Sequence, residues 1–139
     1  MADLAITASQ VLANTNALVE RHEAGAALTP GQAVYLDSDG TWKLAQHDST
    51  AIESGSGGGL AITLSTASAG QDVLLARRGT ITLGAGAAPA AGEIYCVSAT
   101  AGGICPEADV GAADYVSILG VGLSGNKLAL VPNASGQVI

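Results

Sequence analysis

The sequence predicts an all-β chain: a single-domain antiparallel β-sandwich or β-barrel built from hairpins, with an extended N-terminal arm. Three observations carry this. Short apolar runs recur along the chain, separated by turns rich in Gly, Ser and Asp. β-Branched residues are plentiful and only 12% of residues are charged, which is not the composition of a disordered chain. The 139 residues include no Phe, one Trp and three Tyr, so Val, Ile and Leu must do the packing. Thin sheets with close backbone approaches suit that supply. Frequent short strands with glycine-rich turns point to a sandwich or barrel.

Charge narrows the partners. The formal net charge is −7, with five Lys and Arg. Nucleic acid is repelled by such a chain, and so is an anionic membrane surface. The few scattered aromatics make no platform for stacking bases. No run approaches the ~20 apolar residues of a membrane-spanning helix. Met-Ala-Asp-Leu-Ala-Ile-Thr has no basic region ahead of an apolar stretch, so no export signal is expected there.

Residues 1–16 are read as the arm and 17–139 as the β domain. Leu4, Ile6, Val11 and Leu12 are its candidate anchors, expected to find partners on a neighbouring subunit. A short helix capped by Ser9 is a second possibility for this stretch. Ala17 to Glu23 reads as a strand with Leu18 inward. Gly31 to Leu36 and Thr41 to Ala45 form the first hairpin, around the turn Asp37-Ser38-Asp39-Gly40. Gln46 to Gly59 is polar and ends Ser-Gly-Ser-Gly-Gly-Gly, an exposed loop. Leu60 to Leu64 is a strand and Ser65 to Gly70 a turn. Gln71 to Ala76 leads out, Arg77-Arg78-Gly79 sits at a bend, and Thr80 to Leu83 returns as the second hairpin. Gly92 to Pro106 is the third. Tyr115 to Leu123 is a long strand, turned by Ser124-Gly125-Asn126 onto Lys127 to Val131. The hairpins share an opening, Gly31-Gln32, Gly70-Gln71 and Gly92-Glu93, at unequal spacings that exclude a solenoid repeat.

The third hairpin carries both cysteines. A reversal at Thr100 and Ala101 sets Cys96 opposite Cys105, close enough to bridge. The plainer reading is two small buried apolar residues.

Catalytic chemistry finds little support. His22 and His47 are each followed by an acid and read as exposed polar residues; no spacing demands three or four converging metal ligands. Asp37-x-Asp39-Gly40 resembles a calcium loop less than a hairpin turn, because its glycine stands fourth rather than sixth. The Gly55–Gly59 run lacks the lysine and hydroxyl of a phosphate-binding loop. Gly122-Leu123-Ser124-Gly125 misses the nucleophile-elbow pattern by one position. Arg77 and Arg78 form the one basic doublet, read as a solvated hairpin end or as one side of an intersubunit salt bridge. No catalytic residue, cofactor site or metal site is predicted.

Several phrases occur together in order: Gly31-Gln32-Ala33-Val34-Tyr35-Leu36 with Asp39-Gly40-Thr41-Trp42-Lys43-Leu44-Ala45; Gly59-Leu60-Ala61-Ile62 with Ala69-Gly70-Gln71; Gly79-Thr80-Ile81-Thr82-Leu83-Gly84. They continue with Ala91-Gly92-Glu93-Ile94-Tyr95, Gly102-Gly103-Ile104-Cys105-Pro106 and Asp114-Tyr115-Val116-Ser117-Ile118-Leu119-Gly120. The series resembles the head decoration, or capsid cement, proteins of tailed bacteriophages, from about Gly25 to Gly136. The resemblance implies an all-β homotrimer on the outer capsid surface of the virion, made in the host bacterial cytoplasm. Its partner would be the major capsid protein, whose capsomers it would bridge on the expanded head. Leu4, Ile6, Val11, Leu12, Arg77 and Arg78 are then the candidate capsid or intersubunit contacts. The alternative is a tail-fibre or baseplate module binding host surface glycans, with Trp42 and Tyr35 as stacking residues. A small hydrolase or metal protein is the third reading.

Overall fold

The computed structural model describes residues 3–47, 59–84, 86–87, 89–111 and 114–138, and the side chains of 134–138 are outside the description. Among the described residues ten strands make the fold. They are β1 (Leu12–Ala13), β2 (Leu18–Glu23), β3 (Ala33–Leu36), β4 (Trp42–Leu44), β5 (Leu60–Thr63), β6 (Asp72–Thr82), β7 (Ile94–Val97), β8 (Ile104–Pro106), β9 (Tyr115–Leu123) and β10 (Lys127–Val138). Their order is β4-β3-β5-β6-β10-β9-β7-β8, with β1 and β2 also paired to β6. Every strand pair is antiparallel. The architecture is therefore all-β, as the turn spacing predicts: one curled antiparallel sheet.

The curl makes two cores. One packs Tyr35, Leu60, Ile62, Ile81, Leu83, Tyr95, Leu119, Leu128 and Leu130 together. The other packs Leu28, Val34, Trp42, Ala61, Val73 and Leu75. Adjacent residues fall in different cores, Val34 beside Tyr35 and Ala61 beside Ile62, because side chains alternate across a strand. Hence β3 and the Leu60–Ile62 part of β5 are apolar without a polar alternate: both faces pack against a core. The β2-β6-β5-β3-β4 end closes like a small barrel. A bridge joins Ala24 to Trp42, and Gly25 N donates to Trp42 O at 2.8 Å.

Hairpins one and three lie where the turns place them. The first pairs Leu36 with Trp42 and Val34 with Leu44. Its turn is tied by Asp39, which accepts from Thr41 N at 3.0 Å, and by Lys43 Nζ, 2.6 Å from Asp37 Oδ2 and 3.2 Å from Asp39 Oδ2. Hydrogen bonds from the Thr41 hydroxyl and backbone, then Lys43, hold the Asp39 carboxyl down to about 2. That is the chemistry of a braced turn. In the third hairpin Cys96 stands directly opposite Cys105.

The second hairpin differs. Arg77-Arg78-Gly79 is not a bend: β6 runs through it as one 11-residue strand. The hairpin is β5 with β6, turning at Ser65–Gly70, and Ile62 opposes Ala76. Gly79 marks a close approach within a strand, not a reversal. Its φ is +97°, and a Cβ there would lie 2.4 Å from Asn16 O. The pairing of β2 slips by one residue at this point, from Leu18 opposite Arg78 to Val19 opposite Ala76. β6 thereby crosses from the barrel-like end, where β2 and β5 flank it, to the half where β1 and β10 flank it. The last strand is also longer than its apolar run, reaching Val138 through register shifts after Leu130 and Ala134.

The arm lies on its own chain. Leu4 N donates to Ile104 O at 2.8 Å. Leu4 and Ile6 pack against the larger core, and Val11 is buried. Instead of a helix from Ser9 there is one 3-10 turn, Ala8–Gln10, followed by β1. An aromatic-poor core is short of bulk, so these side chains complete it rather than reaching outward. Deleting residues 1–11 is accordingly expected to lower the melting temperature sharply. Three aliphatic side chains are lost, each worth about 1.5–3 kcal/mol when fully buried and less for the half-buried Leu4 and Ile6. Calorimetry on the truncated chain checks this; an unchanged melting temperature would show the arm to be an appendage.

Candidate interaction surface

Opposed residues in antiparallel strands share a face, and so do alternate residues. Ile81, Leu128 and Leu130 point into the core. The rows between them therefore point away from it. Leu12, Thr82 and Lys127 stand in one row, Thr80 and Ala129 in the next, and Leu18 and Arg78 in the third. Val131 follows Leu130, which opposes Gly79, and so reaches the third row. This outer face is apolar and open: Leu12 is 63% exposed, Val131 64% and Leu18 47%. Val19 and Leu74 are also exposed, on the other face of β2 and β6: Val19 opposes Ala76 of the larger core, and Leu74 alternates with it.

Two depressions run along the face. One of about 310 Å³ lies between Asn16, Arg78, Thr80, Ala129 and Val131. The larger, about 730 Å³, spans Asn14, Asn16, Thr80, Gly92, Val121 and Lys127. They share Asn16 and Thr80. Asn16 is fixed there, its Oδ1 accepting from Thr80 N at 2.9 Å and its Nδ2 donating to Thr80 Oγ1 at 3.0 Å. Asn14 Oδ1 accepts from Thr82 Oγ1 at 3.1 Å. Arg78 and Lys127 have no ion-pair partner among the described residues, whereas Lys43 and Arg77 do. An acidic chain thus gathers apolar area and two uncommitted cations on one ridge-and-groove face.

The six residues singled out from the sequence divide. Leu12 and Arg78 stand on this face. Leu4, Ile6 and Val11 serve the core. Arg77 turns the other way, its guanidinium 5.0 Å from the Trp42 ring centre and its Nη1 3.2 Å from Glu20 Oε1. His22 Nε2 lies 2.8 Å from the same carboxylate, and its ring centre is 5.4 Å from that of Trp42. The hydrogen bond to His22, then the Arg77 charge, hold the Glu20 carboxyl below its ordinary range. Arg77 therefore has its acidic partner within its own chain, and neither arginine lies at a hairpin end.

Leu18 was expected inward and is half exposed, because the slip opposite Arg78 leaves it beyond the core. Val131 and Leu74 were missed. Both are out of phase with buried neighbours, Val131 with Leu128 and Leu130, Leu74 with Val73 and Leu75, and that phase break was visible in the sequence. Trp42 and Tyr35 offer no stacking platform, being 1% and 4% exposed. His47 is 4% exposed and not a surface residue. The Gly55–Gly58 run lies outside the described residues.

Cys96 and Cys105 are free thiols, both buried. Burial, with a smaller push from Glu107, raises Cys96 to about 11. Burial, then Cys96 and three nearby aspartates, raises Cys105 to about 12. Neither thiol is a nucleophile near neutral pH. The folded state holds these protons above the ordinary value of 9.0. Their contribution to stability is therefore intact below pH 9.0 and declines as pH rises toward about 12. Iodoacetamide at pH 8 should leave the native protein unmodified and label two thiols after unfolding, read by intact mass. Rapid native labelling would contradict the burial.

Comparison with protein-family models, with curated proteins and with solved structures returns no match.

Proposed function

We propose that the chain is a capsid cement protein of a tailed bacteriophage. It binds the outside of the expanded head, bridges neighbouring capsomers of the major capsid protein and acts without catalysis. The observation that carries this reading is the outer face across β1, β2, β6 and β10, where exposed Leu18 stands opposite Arg78, exposed Val131 lines the same depression as Arg78, and exposed Leu12 shares the Thr82 row with Lys127. Contiguous exposed apolar area with polar edges marks an interaction site. The ordered phrases of the resemblance supply the partner. The net charge of −7 suits a position outside the shell, away from packaged DNA.

Cementing is linkage. A ligand that binds the assembled, expanded shell and not its separated subunits stabilises the shell by mass action. A homotrimer multiplies the effect, because one subunit rebinds while the others hold on. The glycan-binding alternative loses its stacking residues to the core.

Mixing the purified chain with expanded empty heads of its own virus tests the reading. Binding should saturate at a fixed number of copies per head and raise the temperature at which heads disrupt. Absence of binding to expanded heads would remove the proposal.

A further inference from the structure

The third hairpin holds two side chains that neither the outer face nor the cores use. Cys96 on β7 and Cys105 on β8 are the two cysteines of the chain, and they oppose one another in the ladder. Opposed residues of antiparallel strands put their side chains on one face. Tyr95, Val97 and Ile104 take the other face and enter the larger core. The two thiols are thus left side by side on the face of the hairpin away from that core.

Backbone bonds define their spacing. Ser98 N donates to Gly103 O at 3.2 Å, which makes Ser98 and Gly103 a hydrogen-bonded pair. Such pairs alternate along an antiparallel ladder, so Cys96 and Cys105, two positions on, are again hydrogen-bonded. The intervening pair agrees: the Ile104 carbonyl turns away from β7 and accepts from Leu4 N at 2.8 Å. The pair beyond agrees too, because Pro106, which has no N–H, falls where none is needed. A hydrogen-bonded pair sets its Cα atoms about 5.5 Å apart, within the usual range of a disulfide. Its Cβ atoms stand about 1 Å farther apart than in a bridge, so the strands must draw together slightly. β8 can do this, being a three-residue strand at the end of the sheet. The Cys105 thiol already leans across β7, donating to Val97 O at 3.7 Å.

We propose that Cys96 and Cys105 form a reversible cross-strand disulfide, closed by a low-molecular-weight disulfide of the glutathione class and opened by the corresponding thiol. The step balances without another reagent. One cysteine, as thiolate, attacks the small disulfide, breaks its S–S bond and releases one small thiol. The other cysteine attacks the chain sulfur of that mixed disulfide, forms the Cys96–Cys105 bond and releases the second. The chain loses two electrons and two protons, and the two small thiols carry them. Attack needs a thiolate, and burial holds both cysteines as thiols, so exchange runs through opening of the edge strand. Closing the bridge staples β8 to β7 and, through the Leu4–Ile104 bond, secures the arm. The pair stays open in a reducing compartment and closes in an oxidising one. The inference does not depend on the proposed capsid role, and its test uses the free protein.

Full-length protein is equilibrated in glutathione buffers of rising disulfide-to-thiol ratio, folded and in concentrated urea, with a disulfide isomerase as catalyst. Equilibrium is approached from the reduced and from the oxidised chain, and acid-quenched products are read by intact mass. The folded chain should become two hydrogens lighter as a monomer, and recover them when glutathione thiol dominates. It should close about tenfold more readily than the chain in urea. By linkage the same factor stabilises the fold, and at ~1.4 kcal/mol per factor of ten the melting temperature of the oxidised protein should rise by roughly 5 °C. The melting temperature of Cys96→Ser should not rise with glutathione disulfide. Three results would each overturn the proposal: two free thiols in the folded chain at a large excess of glutathione disulfide; glutathione adducts or linked dimers as the main product; or a folded chain that closes no more readily than the unfolded one.

Discussion

Under the proposed capsid role, the double variant Arg78→Glu, Val131→Asp should lose binding to expanded heads and keep its melting temperature. Both side chains stand on the outer face and border the same depression. Val131 is 64% exposed, so its replacement opens no cavity. Surface changes of this kind shift stability by about 0.5 kcal/mol or less each. Binding responds far more strongly. Truncating a central interface residue costs at least ~2 kcal/mol, and a buried charge reversal costs more. At 1.4 kcal/mol per factor of ten, even ~2 kcal/mol per subunit is roughly a thirtyfold loss. If the chain binds as the proposed homotrimer, the losses compound across its subunits. Co-sedimentation with heads measures the binding, and calorimetry of the free protein measures the stability. Wild-type binding by the folded double variant would place the contact elsewhere. Arg77→Glu makes the opposite comparison: its side chain meets Glu20 and Trp42. That variant should lose stability first.

The contrast between those two arginines shows where sequence reading reaches and where it stops. Local rules located the Asp37–Gly40 turn and set Cys96 against Cys105, because turn residues fix the register of a hairpin. The same rules misread Arg77-Arg78-Gly79. Two cations and a glycine have the composition of a bend. β6 runs on through Gly79 because β2 and β5 pair with it on one side of that residue and β1 and β10 on the other, and the Asn16–Ala17 backbone, 63 residues from Gly79 at Asn16, approaches it closely there. No local pattern records that contact. The outer face is also non-local, since Leu12, Leu18, Arg78 and Val131 meet only once β1, β2 and β10 have paired with β6. Its members were individually visible as apolar residues out of phase, but not as one surface. The arm shows a third limit. Leu4 and Ile6 have the spacing of a strand, and the sequence does not say whose core they fill. His47 sits in a polar stretch and reads as exposed. Its burial comes from Ser98 and Tyr115, which bond its backbone from other hairpins.

Trp42→Ala should be the most damaging single truncation in the barrel-like end. The indole is 1% exposed and packs with Leu28, Val34, Val73 and Leu75. Replacing a buried Trp by Ala costs about 3–5 kcal/mol in lost transfer energy and cavity. The polar neighbours add to that. Arg77 lies over the ring, and its Nε is buried with no hydrogen-bond partner among the described residues. Removing the ring takes away the attraction of its π-face for the guanidinium, worth ~0.5–2 kcal/mol. At 2–4 °C per kcal/mol for a chain near this size, the melting temperature should fall by roughly 10 °C or more. Trp42→Phe keeps a π-face under Arg77 and most of the volume, so it should recover much of the loss. The pair also separates the functional readings. If Trp42 stacked on a glycan, alanine would abolish binding and spare the fold. Burial demands that stability collapse first, and under the proposed role the outer face should still engage expanded heads at temperatures where the variant remains folded. Thermal unfolding and head co-sedimentation of the two variants decide between them, and a stable Trp42→Ala would contradict the packing.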